Sequence, residues 1–287
     1  MLQLSLSRRS TRFFALTIAP LIAGLAILAA SPATVAAARP AAPAAAHPSG
    51  GAKIGYDISY PQCGGEFPVN PAFGIVGVNR GIVFSANPCL GAGSGQSQLA
   101  WAGGVQAQLY ANTGNPGPAL STHWPNGQTL PRECNTAASS GSDTANCAYD
   151  YGWNAAADSY QTAVRAYISL GLAAKGATST PKANVWWLDV ETGNSWRSDV
   201  SLNVASLQGA VAYLESAGAA DIGFYSTQRQ WDQITGGTLV FGGSPGWVAG
   251  ASTARGARSN CGANSFTGDV VALAQYLAKG FDADLRC

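Results

Sequence analysis

Two carboxylates stand one residue apart in the run Val185-Trp186-Trp187-Leu188-Asp189-Val190-Glu191. The residues before them are apolar, β-branched and aromatic, the pattern of a strand buried on both faces. Residues i and i+2 of a strand share a face. A strand carried through Glu191 therefore aims Asp189 and Glu191 the same way, roughly 6–7 Å apart. Such a pair suits general acid–base work, one carboxyl holding a proton for a reacting group while the other stabilises charge. Crowded carboxylates raise at least one pKa, which keeps a proton available near neutral pH. Thr192-Gly193-Asn194-Ser195 then breaks the strand. Acids at the C-terminal end of a buried strand occupy the position where barrel enzymes keep their chemistry. The plainer reading is a solvated strand end, with Asp189 capping the next turn.

The elements that must position this pair alternate along the chain. Short apolar strands are expected to end at Asp57, Val78, Ala111, Glu191, Ser226, Gly250 and Tyr276, opening on one cleft. Helical spacing runs over Ser97–Gly104, Tyr151–Leu172, Ser201–Ala217 and Thr227–Ile234, with Ser201 as an N-cap and Gly218 as a stop. Alternating strands and helices favour an α/β fold: a modified β/α (TIM-like) barrel rather than a sandwich. Helices thin out towards the C-terminus, so the last strands are expected to be joined by loops, with Phe281–Leu285 closing the chain. Trp186 and Trp187 face opposite ways, one into the barrel and one towards helices. Gly117–Asp150 is a long insertion carrying His123-Trp124-Pro125, Cys134 and Cys147. Insertions of this length are functional or disordered. A disulfide there implies an ordered rim over the cleft.

Residues 1–38 read as a signal peptide. Arg8, Arg9 and Arg12 precede an apolar run, and small residues up to Ala38 offer cleavage sites. The run is nearly long enough to span a bilayer, but its small-residue end favours cleavage and no stable membrane anchor. Residues 39–52, rich in Ala, Pro and Gly, read as a linker, and 53–287 as one barrel domain acting as a monomer. All six cysteines, Cys63, Cys89, Cys134, Cys147, Cys261 and Cys287, follow the signal, which points to disulfides in a secreted protein. Joining sequence neighbours gives Cys63–Cys89, Cys134–Cys147 and Cys261–Cys287, one of about fifteen possible pairings. No CxxC spacing occurs, and only His47 and His123 are available, so neither a metal nor another cofactor is expected. Removing Arg8, Arg9 and Arg12 from 16 basic residues leaves 13 against 15 acidic ones. A chain so balanced, with no basic run, is a poor match for nucleic acid.

A series of short motifs gives the chain a family likeness. Gly55-Tyr56-Asp57-Ile58-Ser59, Leu188-Asp189-Val190-Glu191, Gly223-Phe224-Tyr225-Ser226-Thr227, Trp247-Val248-Ala249, Gln275-Tyr276 and Asp284-Leu285 follow one another across the domain. In kind and order they resemble the glycoside hydrolase family 25 lysozymes. The resemblance implies a modified β/α barrel that cleaves peptidoglycan after N-acetylmuramic acid, using acids at the barrel mouth. It implies Glu191 as general acid, Asp189 as its partner, and Asp57 and Asp284 as the first and last acids. Asp282, two residues from Asp284, competes for the last place. The family's second strand usually ends in a Lys-Ala-Thr-Glu-Gly type sequence; here it is Val78-Asn79-Arg80-Gly81, without an acid. Ala274 stands where a Trp is expected before Gln275-Tyr276.

Tyr110, Tyr225, Trp247 and Tyr276 fall near strand ends and could form a sugar platform, with Asn112 as a polar cleft residue. Most barrel aromatics are core. Two functions fit: a secreted or cell-wall-associated glycosidase acting on peptidoglycan or a related glycan, or a catalytically silent glycan-binding envelope protein on the same barrel.

Overall fold

A computed structural model describes residues 54–93, 95–134, 143–172 and 181–287. The proposed signal peptide and the whole of the linker lie outside them. Eight strands close into a barrel in sequence order: β1 Ile54–Ile58, β2 Gly74–Gly77, β3 Gln108–Asn112, β4 Val185–Asp189, β5 Asp221–Ser226, β6 Gly246–Ala251, β7 Val271–Ala278 and β8 Phe281–Arg286. Strands β1 to β7 run parallel, whereas β8 runs antiparallel between β7 and β1.

The strand register decides which side chains point inward. Asn112 pairs with Asp189, Asp189 with Tyr225, Tyr225 with Trp247, and Trp247 with Leu273. Directly paired residues share a face, so these five line the interior. Ile75, Trp187, Trp247 and Leu273 form the inner apolar cluster, with Tyr110 and Tyr225 against it. The opposite strand faces carry Val76, Leu109, Trp186, Leu188 and Phe224 into the outer core. The two tryptophans divide as expected: Trp187 packs inside, and Trp186 stacks on Tyr160 with ring centroids 5.8 Å apart. Fully burying a large apolar side chain is worth about 1.5–3 kcal/mol, so this sheet–helix layer is a main source of stability.

The helices covering the wall are α1 Gln98–Trp101, α2 Ala145–Ser169, α3 Val200–Ser216, α4 Gln228–Thr235 and α5 Ala254–Asn260. Two glycines set how closely α2 and α3 approach. A Cβ on Gly152 would overlap the Ser206 carbonyl, and one on Gly209 would overlap that of Tyr149. Gly inside a helix costs about 1 kcal/mol relative to Ala, and here the close approach requires it.

Several boundaries differ from the sequence reading. Helix α2 starts at Ala145, capped by Thr144, so Cys147 and Asp150 belong to the helix rather than to the insertion. Asp199, not Ser201, caps α3; its carboxylate accepts from the Ser201 amide. Helix α5 was not anticipated, because its short polar sequence buries only Ala257. The stretch expected only to close the chain is strand β8, whose apolar pattern Asp282 and Asp284 interrupt. The tight turn before it, with Lys279 at φ 54° and Gly280 at φ 84°, is a type I′-like hairpin connection. Strand β4 stops at Asp189 rather than Glu191. The Glu191 carbonyl is taken by the Asn194 amide and by Trp196 Nε1 at 2.8 Å, which curls the chain into a turn.

The disulfides are Cys63–Cys89, Cys134–Cys147 and Cys261–Cys287, each between sequence neighbours as expected. Among the described residues no helix is long and apolar enough to cross a membrane.

Candidate active site

The inward residues at the C-terminal ends of the parallel strands are mostly acids, amides and tyrosines. Asp57, near the end of β1, pairs directly with Asp282 of β8. Because β8 is antiparallel, its first residues lie at the mouth and later ones lie deeper. Asp282 is exposed there, while Asp284 pairs with Gly55 one level down and is fully buried. Trp247 Nε1 donates to Asp284 Oδ1 at 2.8 Å.

Asp189 is buried at the end of β4. Asn112 Nδ2 donates to its Oδ2 at 2.6 Å, and the Asn112 amide in turn donates to Asn79 Oδ1 at 2.9 Å. Its backbone carbonyl accepts from Thr113 Oγ1 and from Asn194 Nδ2. Glu191 is half-buried in the turn that follows. Gln230 of α4 fixes that turn: its Oε1 accepts from the Thr192 amide at 2.6 Å and from the Thr192 hydroxyl at 3.0 Å.

Gln275 links the two sides of the mouth. Its Nε2 donates to Asp57 Oδ2 at 2.9 Å, and its Oε1 accepts from the Tyr225 hydroxyl at 2.8 Å. Tyr110 and Tyr225 both meet Trp247, with ring centroids 6.0 and 4.5 Å away. Gly77 makes room for Tyr110, since a Cβ there would lie 2.6 Å from Tyr110 Cζ and 2.8 Å from Ser59 Cβ.

Withdrawal from water and mutual repulsion drive the proton affinities upward. Burial, then the charge of Asp282, pushes Asp57 up to about 8, against the pull of the Gln275 hydrogen bond. Burial raises Asp189 well above the usual carboxylate range, and the nearby charge of Glu191 adds to it. Burial also raises Glu191, opposed by Gln230 and Asp189 and aided by the charge of Asp282. Asp284 is raised strongly by burial and then by Asp57. Burial raises the Tyr225 hydroxyl, and the charges of Glu191, Asp57, Asp189 and Asp282 add to it, as expected for one shared cleft. The cluster thus holds protons near neutral pH, the condition for general acid chemistry.

The sequence-derived candidates divide accordingly. Asp57, Asp189, Glu191, Tyr110 and Tyr225 gather at the mouth. Asn112 is buried and orients Asp189 rather than offering a polar surface. Trp247 is buried among Trp187, Tyr110 and Tyr225, which covers it as a platform, although its indole N–H reaches Asp284. Tyr276 is a correction. It faces outward and packs with Ala257, Ala274, Ala283 and Leu285. Strand alternation sends its neighbour Gln275 inward instead. Gln275 and Gln230 were missed as site residues. Gln275 was signalled by being the lone polar residue in Val271–Ala278, whereas nothing local marked Gln230. Among the described residues, no three His, Cys, Asp or Glu side chains are grouped to hold a metal ion.

A closed eight-stranded barrel thus carries a cluster of acids at one mouth. Residues 142–259 match the family model described as "Lysozyme-like protein 1". "Probable GH family 25 lysozyme 4" of Dictyostelium discoideum is 45% identical over 63 residues, spanning 22% of this chain and 29% of that relative. Among solved structures, a muramidase from Trichobolus zukalii is similar at 14% identity and TM-score 0.47, covering 82% of this chain and 93% of its own. A muramidase from Acremonium alcalophilum is similar at 15% identity and TM-score 0.45, over 82% and 93%. The bacterial lysozyme from Streptomyces coelicolor is similar at 14% identity and TM-score 0.42, over 81% and 90%. Residues 142–259 are thus similar to a lysozyme-like family, and a stretch of 63 residues is similar to a glycoside hydrolase family 25 lysozyme, in keeping with the resemblance of the motif order.

Proposed function

We propose that this chain is an exported peptidoglycan hydrolase that cleaves glycan strands after N-acetylmuramic acid, with Glu191 as general acid. The observation that carries the reading is the convergence of Asp57, Asp189, Glu191 and Asp282 on one mouth, with both tyrosines beside them. Glu191 is the half-buried member of the Asp189–Glu191 pair, so it can both hold a proton and reach a ligand. It would protonate the leaving oxygen as the glycosidic bond breaks. Asp189, held by Asn112 and lying next to Glu191, would keep the proton in place.

The developing oxocarbenium charge needs a carboxylate. Asp57 retains its proton to about pH 8 and Asp284 is fully buried. Asp282, exposed opposite Asp57, is the member that fits this role best. Three disulfides suit an oxidising compartment, which supports export and removal of residues 1–38.

A second reading, a glycan-binding barrel without hydrolysis, draws on the second strand. There Val78-Asn79-Arg80-Gly81 carries no acid, and Asn79 spends its side chain on the Asn112 backbone amide and Ser159 Oγ. Incubation of the mature protein with purified peptidoglycan separates the two. Hydrolysis releases new reducing ends in proportion to time. Retention of glycan with no new reducing ends supports the binder instead.

A further inference from the structure

A groove of about 210 Å³ lies beside the turn that follows Glu191. Its inner end is formed by Thr113, Gly193 and Asn194. Thr113 Oγ1 and Asn194 Nδ2 both donate to the Asp189 carbonyl, so the groove begins at the turn that carries Glu191. Its outer wall comes from the loop after β2 and from the long insertion, through Ile82, Phe84, Leu120 and His123. The rings of Phe84 and His123 lie parallel, with centroids 4.2 Å apart and an interplanar angle of 7°. Tyr151 of α2 meets Phe84 edge-on at 5.5 Å.

Phe84 sits at φ 57°, a left-handed conformation unfavourable for a bulky residue. Such strain persists where surrounding packing enforces it, and it concentrates at ligand clamps. His123 is exposed and Leu120 is 80% exposed, so the outer wall presents a ring face and an aliphatic side chain to solvent. Among the described residues no Asp, Glu, Lys or Arg lines the groove. Apart from the His123 imidazole, its polar side chains are hydroxyls and an amide, as in Ser121, Thr122 and Asn194. A charged peptide would leave its charges unpaired there, and a nucleic acid would find no cations. An uncharged sugar suits both halves of the lining: its C–H face stacks on the ring, and its hydroxyl and amide groups meet side chains of the same kind.

We propose that this groove is a saccharide subsite. It binds an uncharged sugar residue of the glycan strand beyond the two residues that flank the bond at Glu191. The assignment of a glycan ligand rests on the proposed function; the location rests on the groove itself. The probe is chitotetraose, an uncharged β-1,4-linked N-acetylglucosamine oligomer, with binding measured by calorimetry on the full mature protein. His123→Ala and Phe84→Gly should each weaken binding about tenfold, the scale of losing one aromatic anchor. Glycine keeps the left-handed backbone at position 84. Leu120→Ala, at an exposed position, should weaken binding severalfold without disturbing the fold. Wild-type binding that is unchanged in His123→Ala and Leu120→Ala overturns the proposal, as does a wild type that binds no chitotetraose. Peptidoglycan hydrolysis by wild type, with binding unaffected by these variants, removes the subsite and leaves the proposed function standing. Weakened binding in the variants of a wild type that hydrolyses nothing removes the hydrolase and leaves the subsite.

Discussion

Gln275→Met tests how the mouth is wired. Methionine keeps the length and approximate volume of glutamine, so the barrel interior should repack with little strain. It removes the 2.9 Å donor to Asp57 and the 2.8 Å acceptor for the Tyr225 hydroxyl. A hydrogen bond to a charged group is worth about 1.5–3 kcal/mol, and one pKa unit is about 1.4 kcal/mol. The lost bond favoured ionised Asp57, so its pKa should climb about one to two units above its value of about 8. Carbon-detected NMR of the Asp57 carboxyl across a pH titration reads this directly. Stranding the Tyr225 hydroxyl should also lower unfolding free energy by about 1–3 kcal/mol. An Asp57 pKa that stays put or falls in Gln275→Met would refute the wiring described here.

Asp57 also makes stability depend on pH. Its folded pKa of about 8 lies above its ordinary 3.8, so the folded chain binds the proton more tightly than the unfolded chain. This contribution is complete below about pH 4 and is lost as pH rises through 8. Melting temperature should therefore fall between pH 4 and pH 9, and fall less in Asp57→Asn; equal slopes by scanning calorimetry would contradict the origin assigned. Gly77→Ala should place a methyl 2.6 Å from Tyr110 Cζ. Overpacking of this kind costs about 1–3 kcal/mol, measurable by urea unfolding, and an unchanged midpoint would mean that Tyr110 is not held against Gly77.

Much of the barrel was legible because its strands are short apolar runs with a helix after most of them. The pairing of sequence-neighbouring cysteines was legible as well. What the sequence hid was the sense of β8. Asp284 was expected as the last acid of the site with Asp282 as its competitor; both line the barrel, and only the strand's antiparallel direction sets Asp282 at the mouth and Asp284 below it. The motif Gln275-Tyr276 was visible, but choosing between its members needs the strand register, and an aromatic residue was the more tempting platform. The shared direction of Asp189 and Glu191 was inferred from a strand that in fact ends at Asp189. The turn fixed by Trp196 and Gln230 holds Glu191 at the mouth instead. Those two residues lie 5 and 39 positions along the chain from Glu191, beyond any local pattern.

The most direct test of the account is the rate at which Glu191→Gln releases reducing ends from purified peptidoglycan, measured beside wild type. Glutamine keeps the size and much of the hydrogen bonding but cannot give up the proton. General acid catalysis contributes about 10²–10⁴-fold, so the rate should fall by that factor. Sedimentation of the variant with insoluble peptidoglycan should be retained, because the loss lies in the transition state. Cleavage by Glu191→Gln at the wild-type rate would contradict the central claim.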